Sequence, residues 1–159
     1  MRDLDCLLDI PLFGLGETSS HLATISGQRF TITLVIDRMA PLYQWQMRPC
    51  GLADRCACIR ASGLEFQGIL AGFADPAPIL PWLQQAARRI AQETGADVVI
   101  PGEVPMNPLL AINGINRVND VPLIDSLACT MTMAELMVDL DRATGIAHCL
   151  HGGFNAASG

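Results

Sequence analysis

The run from Gly95 to Pro108 limits the possible folds of this chain more than any other. Val98-Val99-Ile100 is an unbroken β-branched stretch, which predicts a strand buried on both faces, as in a parallel sheet. Gly95 stops a helix ahead of it, and Pro101-Gly102 end it. Asn107 followed by Pro108 predicts a helix N-cap and first helical residue. The segment therefore reads strand, loop, helix. In an open α/β sheet such a loop lies at the carboxyl edge, where ligands bind, and a helix start there favours an anion. Glu103 and Met106 stand where chemistry would stand.

The remaining elements fit the same plan. Asp9 to Glu17 reads as a short buried strand ending in a Gly loop, and Thr18 or Ser19 as the cap of a helix closed by Gly27. Arg29 to Ile36 is dense in β-branched residues and predicts a strand. A short helix is expected over Ala40 to Met47, with Leu42, Trp45 and Met47 toward the core, ended by Pro49-Cys50-Gly51. The stretch Gly51 to Ala61 crosses into another strand, and Gly63 to Ala74 is a connection. After Asp75-Pro76, Ile79, Leu80, Leu83, Ala86, Ala87, Ile90 and Ala91 recur at three- and four-residue steps, with Arg88 and Arg89 on the other side. A short strand is expected over Val121 to Asp125. A last helix follows, capped by Asp125 or Ser126, with Leu127, Met131, Leu136, Met137 and Val138 on a broad apolar face.

Composition removes several alternatives. The 159 residues suffice for one domain with a real core. A net charge of −6 opposes a nucleic-acid partner. Gly, Pro and charges break every apolar stretch, so no membrane span is expected. The acidic N-terminus, Met1 to Asp5, is no secretory signal. This points to the cytoplasm and to reduced thiols for Cys6, Cys50, Cys56, Cys58, Cys129 and Cys149. Cys56-Ala57-Cys58 lacks the Cys-x-x-Cys spacing, so no metal is assigned to it. His148, Cys149 and His151 lie in a Gly/Ala-rich tail whose spacing is not diagnostic of a metal or a nucleophile.

Five stretches in order carry a family resemblance: Asp9 to Ala23, with Asp9, Pro11, Gly14, Gly16, Glu17, His21 and Ala23 matching; Arg29 to Val35; Gly51 to Ala61; Gly95 to Met106; and Val121 to Asp125. They resemble the later part of the aspartate/glutamate/hydantoin racemase superfamily. The resemblance implies an α/β fold: a parallel sheet flanked by helices, one lobe plus the return segment of a two-lobed protein. It places this domain in residues 1–144, with the first half-domain largely absent, and a Gly/Ala-rich tail in 145–159. It also implies racemase chemistry without a cofactor or metal, in which one thiolate takes an α-proton and a second thiol returns it on the opposite face. Met1 falls just after the position of the first family cysteine. The second falls on Glu103, with a family Gly on Pro105, and the paired hydroxyls that help hold substrate fall on Leu34 and Val35.

The expected site is thus Glu103 as the catalytic group, with Gly102, Val104, Pro105, Met106, Leu34 and Val35 around the substrate. Glu103 can serve as a base in a dry cleft, or it is a solvent-facing loop acid. The expected substrate is a small amino acid, hydantoin or related carboxylate, with turnover impaired or absent in this chain alone. The expected partner is a second copy, or another chain supplying the first lobe, whose absence leaves the last helix's apolar face open. The alternatives are a relative that binds a ligand or partner without turnover, and a truncated lobe without function.

Overall fold

The computed structural model describes residues 10–146. Cys6, the start of the expected first strand and the tail with His148, Cys149 and His151 lie outside the described residues. Three parallel strands form the centre: β1 (Phe30–Leu34), β2 (Cys56–Ala61) and β3 (Val98–Pro101), in the order β2-β1-β3. Alternation along β1 divides the core. Phe30, Ile32 and Leu34 join Val98 and Ile100 in one apolar layer. Thr31 and Thr33 are buried on the opposite face, where their hydroxyls donate to the carbonyls of Cys58 (3.0 Å) and Ile100 (3.5 Å).

Helices cover both faces. On the first lie α1 (Leu15–Ser26) and α2 (Ala40–Met47), the latter entered through a 3-10 turn at Asp37–Met39. On the second lie α3 (Phe66–Ala71), α4 (Leu80–Thr94) and α5 (Met106–Ile112). A small antiparallel ribbon, β4 (Arg117–Val118) with β5 (Val121–Pro122), follows, and Leu123 bridges Val99 in parallel. The chain closes with α6 (Ser126–Thr144), which packs along α1. The α/β architecture with a parallel sheet flanked by helices is the one expected. No described helix is long and apolar enough to cross a membrane.

Several local expectations change. No strand precedes α1 within residues 10–14, and the helix begins at Leu15 after Gly14, placing Thr18 and Ser19 inside it. The connection after Gly63 contains the helix α3. The long helix starts at Leu80, later than Pro76, but buries Leu83, Ala86, Ala87, Ile90 and Ala91 of the predicted stripe, with Ile79 and Leu80 half-buried. It ends at Gly95, whose φ of +64° is the left-handed stop that glycine tolerates. In α2 only Met47 is buried; Leu42 and Trp45 are exposed, and Tyr43 turns inward in their place. Asp125 caps α6 as expected, its Oδ1 accepting from the N–H groups of Leu127 (2.9 Å) and Ala128 (3.0 Å). Along that helix Leu127, Met131, Leu136 and Val138 are exposed.

One electrostatic clasp sets where β1 begins. Asp97, just ahead of β3, accepts from the N–H groups of Gln28 and Arg29, each at 2.9 Å. Gly27 permits the approach, because a Cβ there would meet Asp97 Oδ1 at 2.6 Å. Arg55 donates to the carbonyls of Gln28, Gly27 and Thr24 and so neutralises the end of α1. Desolvation pushes the Asp97 carboxyl upward, but the N–H groups of Gln28, Arg29 and Asp97 itself, with Arg55, outweigh it and hold it below the ordinary value. A carboxyl with a lowered folded pKa stabilises above its unfolded pKa, and that contribution is lost as pH falls through the folded value. Asp97→Asn is therefore expected to cost about 1 kcal/mol near neutrality. It should also flatten the loss of stability below about pH 4, as read by urea unfolding across pH.

Candidate active site at the carboxyl edge of the sheet

Because β1 and β3 are parallel neighbours, the loops leaving their carboxyl ends meet at one edge. Gly102 bridges them first. Its N–H donates to the Thr33 carbonyl at 2.8 Å, and a Cβ on it would lie 2.6 Å from Leu34 Cδ2 and 3.1 Å from that carbonyl oxygen. Only glycine fits this contact without a shift. Glu103 follows and turns back over β1. Its Oε1 accepts from the Val35 N–H at 2.7 Å and the Ile36 N–H at 2.9 Å. Its Oε2 is buried and has no hydrogen-bond partner among the described residues. Glu103 is thus no solvent-facing loop acid; it is half-buried and tied to the strand beside it.

Two residues that sequence reasoning did not select hold this loop in shape. Tyr43, on α2, donates its hydroxyl to the Gly102 carbonyl at 2.6 Å. Burial, and then the Glu103 carboxylate, push the Tyr43 pKa up, so the phenol stays a donor well into the alkaline range. Asn107, predicted as an N-cap, is instead a buried clamp within α5. Its Nδ2 lies 3.3 Å from the Pro101 carbonyl and 3.2 Å from that of Glu103, while its Oδ1 accepts from the Ser126 N–H at 2.8 Å. The helix starts earlier, at Met106, because residues 103–105 already form its leading turn. An inward Tyr beside a Gly-containing loop, and an Asn two residues after a Pro, were the only sequence signals for these roles.

The other expected site residues divide by depth. Leu34 and Met106 are wholly buried core side chains, and Leu34 contacts the Gly102 backbone. Val35 supplies a backbone N–H. Val104 is exposed and Pro105 half-buried at the rim. Between α1, α2 and the Glu103 loop runs a cleft lined by Gly16, Ile32, Tyr43, Gly102, Val104 and Leu127, among others. Its free volume is about 10 Å³, room for roughly one water. A larger hollow of about 220 Å³ lies behind Asn107, between α5 and the segment leading to α6. The donor pair on Glu103 can seat one carboxylate oxygen, and the remaining oxygen keeps its lone pairs for a proton.

Comparison with known proteins places this edge in context. The Asp/Glu/Hydantoin racemase family profile matches residues 1–134. A hydantoin racemase from Pseudomonas sp. (strain NS671) is 26% identical over 136 residues, which are 86% of this chain and 53% of that protein. A hydantoin racemase from Paenarthrobacter aurescens is 28% identical over 145 residues, 89% of this chain and 58% of that one. The chain thus spans about half the length of the curated relatives it matches. A crystal structure of allantoin racemase from Pseudomonas fluorescens superposes with a TM-score of 0.73 at 26% identity, covering 93% of this chain and 59% of that one. An allantoin racemase from Klebsiella pneumoniae gives the same TM-score at 24% identity, a likeness of fold alone.

The chain has a single tyrosine, which makes the Glu103–Tyr43 coupling measurable. Glu103→Gln removes the charge but keeps an acceptor for both N–H groups. It is expected to change stability by less than about 1 kcal/mol and to lower the Tyr43 pKa part of the way back, as read by phenolate absorbance. Glu103→Ala leaves two partly buried donors without a partner and should cost about 2 kcal/mol, as read by chemical denaturation.

Proposed function

Because the chain belongs to the Asp/Glu/Hydantoin racemase family, we propose that it carries one base of a cofactor-independent reaction at the α-carbon of a small hydantoin, amino acid or related carboxylate. We infer that it does not racemise such a substrate by itself. The observation that supports this is the division of labour within Glu103. One carboxylate oxygen is fixed by Val35 and Ile36, and the other is buried without a hydrogen-bond partner among the described residues, in the loop whose Gly102 and Val104 line the cleft. A general base needs a fixed position and a free lone pair, and Glu103 has both.

Inversion requires a second group that returns a proton from the opposite face. Among the described residues lining the cleft there is no cysteine and no carboxylate, Glu103 itself standing in the loop between the lining residues Gly102 and Val104. Tyr43 is committed to Gly102 and resists ionisation. A small-molecule seat typically has several hundred Å³, against the 10 Å³ free here. On this reading the seat is completed by a further lobe, supplied by another chain or a second copy, against the exposed Val104, Leu127 and Met131. A hydantoin-type ring suits the proposed chemistry, since its ring carbon bearing the substituent is acidified by the adjacent carbonyl. A cytoplasmic location belongs to the same reading.

A second reading, a relative that binds without turnover, draws on the same pinned carboxylate and filled cleft. The two part on proton exchange. A 5-substituted hydantoin is incubated in D2O at neutral pH with the chain, alone or co-expressed with the unmatched half of the Pseudomonas sp. hydantoin racemase, against a buffer blank. The chain alone should give no optical inversion. With the added half, Glu103→Cys should raise α-deuterium incorporation above the parent, and Glu103→Gln should lower it. Optical inversion by the chain alone would refute the one-base reading, and exchange indifferent to both substitutions would remove Glu103 from the chemistry and favour binding without turnover.

A further inference from the structure

Beyond the Glu103 edge, α1 carries a second cluster. Glu17 and His21 are four residues apart and so lie on the same side of that helix. Cys50, in the turn after α2, faces them. One carboxylate oxygen, one imidazole nitrogen and the Cys50 Sγ all lie within 4.8 Å of one another. Glu17 and His21 make no ion pair with each other, and neither side chain has a hydrogen-bond partner among the described residues. Three different donors thus converge without Glu17 and His21 satisfying one another.

We propose that Glu17, His21 and Cys50 form a binding site for a divalent cation of the zinc type. Carboxylate oxygen, imidazole nitrogen and thiolate sulfur are the three donor classes that zinc accepts together, at about 2.0–2.3 Å. Tetrahedral coordination at those lengths sets donors roughly 3.3–3.7 Å apart. Side-chain rotation closes the remaining distance, since Glu17 and Cys50 are only half-buried and His21 is exposed. The exposed side leaves a fourth position for water. On binding, the Cys50 S–H bond breaks, its proton goes to solvent, and the sulfur lone pair forms the metal bond. The thiolate and carboxylate together balance the two positive charges. The ion ties α1 to the turn after α2, and these are the helices that carry Gly16 and Tyr43 on the wall of the cleft.

This site goes beyond the Glu103 reading and is tested apart from it. The probe is Co²⁺ titrated into the full reduced chain, followed by its visible bands and its near-ultraviolet thiolate charge-transfer band, with Zn²⁺ as competitor. One saturable Co²⁺ site with the charge-transfer band is expected, displaced by one equivalent of Zn²⁺. Cys50→Ser should abolish the band, and His21→Ala and Glu17→Gln should each weaken binding by about tenfold or more. Cys56→Ser should leave it intact, since Cys56 lies on β2 and is not among the three converging donors. Circular dichroism of each variant reports that it is folded. Absence of saturable Co²⁺ binding, a band that survives Cys50→Ser, or indifference to either His21→Ala or Glu17→Gln in a folded variant would overturn the site.

Discussion

The carboxylate of Glu103 on the paired N–H groups of Val35 and Ile36 is the contact on which the carboxyl edge depends. Where β1 ends, the chain has two consecutive amides pointing out of the sheet with no strand to receive them. Buried amides without partners are costly. A side chain from the neighbouring strand's loop satisfies both with one oxygen. That contact then constrains everything near it. Gly102 must have no side chain, so that the loop can lie on Leu34. The loop's own carbonyls must be met from outside, which Tyr43 and Asn107 do. The start of α6 is tied in through the Ser126 N–H.

The parts of this arrangement that depend on local chemistry were legible in the sequence. Val98-Val99-Ile100 is buried on both faces because helices cover both sides of the parallel sheet, even though β3 is an outer strand of the order β2-β1-β3. Gly95 and Asp125 end and begin their helices through their own backbone and side-chain atoms. The position of Glu103 at the sheet edge followed from strand and loop order alone. What remained hidden depends on partners far along the chain. Asn107 reads equally well as a cap or a clamp, and the choice is decided by Ser126, 19 residues later. The phase of α2 was misread because eight residues make barely two turns, too few to fix a stripe. The inward face is set by the Gly102 carbonyl, which Tyr43 can reach and Trp45 cannot while remaining exposed.

The two clasps on β1 also explain its precise placement between two neighbours. At its amino end Asp97 fixes Gln28 and Arg29. At its carboxyl end Glu103 fixes Val35 and Ile36. Both acids flank β3, so one strand holds both ends of the other by charge-assisted bonds as well as by the ladder between them. Asp97 is exposed and has Arg55 nearby, whereas Glu103 is half-buried and leaves one oxygen without a partner among the described residues. The same device serves as a surface fastener at one end and as an unbalanced charge at the other.

That imbalance bears on what the edge can accept. Two N–H groups that already hold a carboxylate oxygen cannot also hold a second anion, and a second carboxylate brought beside Glu103 would meet repulsion in a partly dry site. A neutral ring that offers a carbonyl and an acidic C–H meets no such repulsion. Within the substrate range proposed above, we propose on this ground that charge favours the uncharged cyclic members over the free amino acids. The preference comes from the acid's own occupation of the only paired donors seen at this edge among the described residues, and it would reverse if a thiol stood in the acid's position and left those donors open.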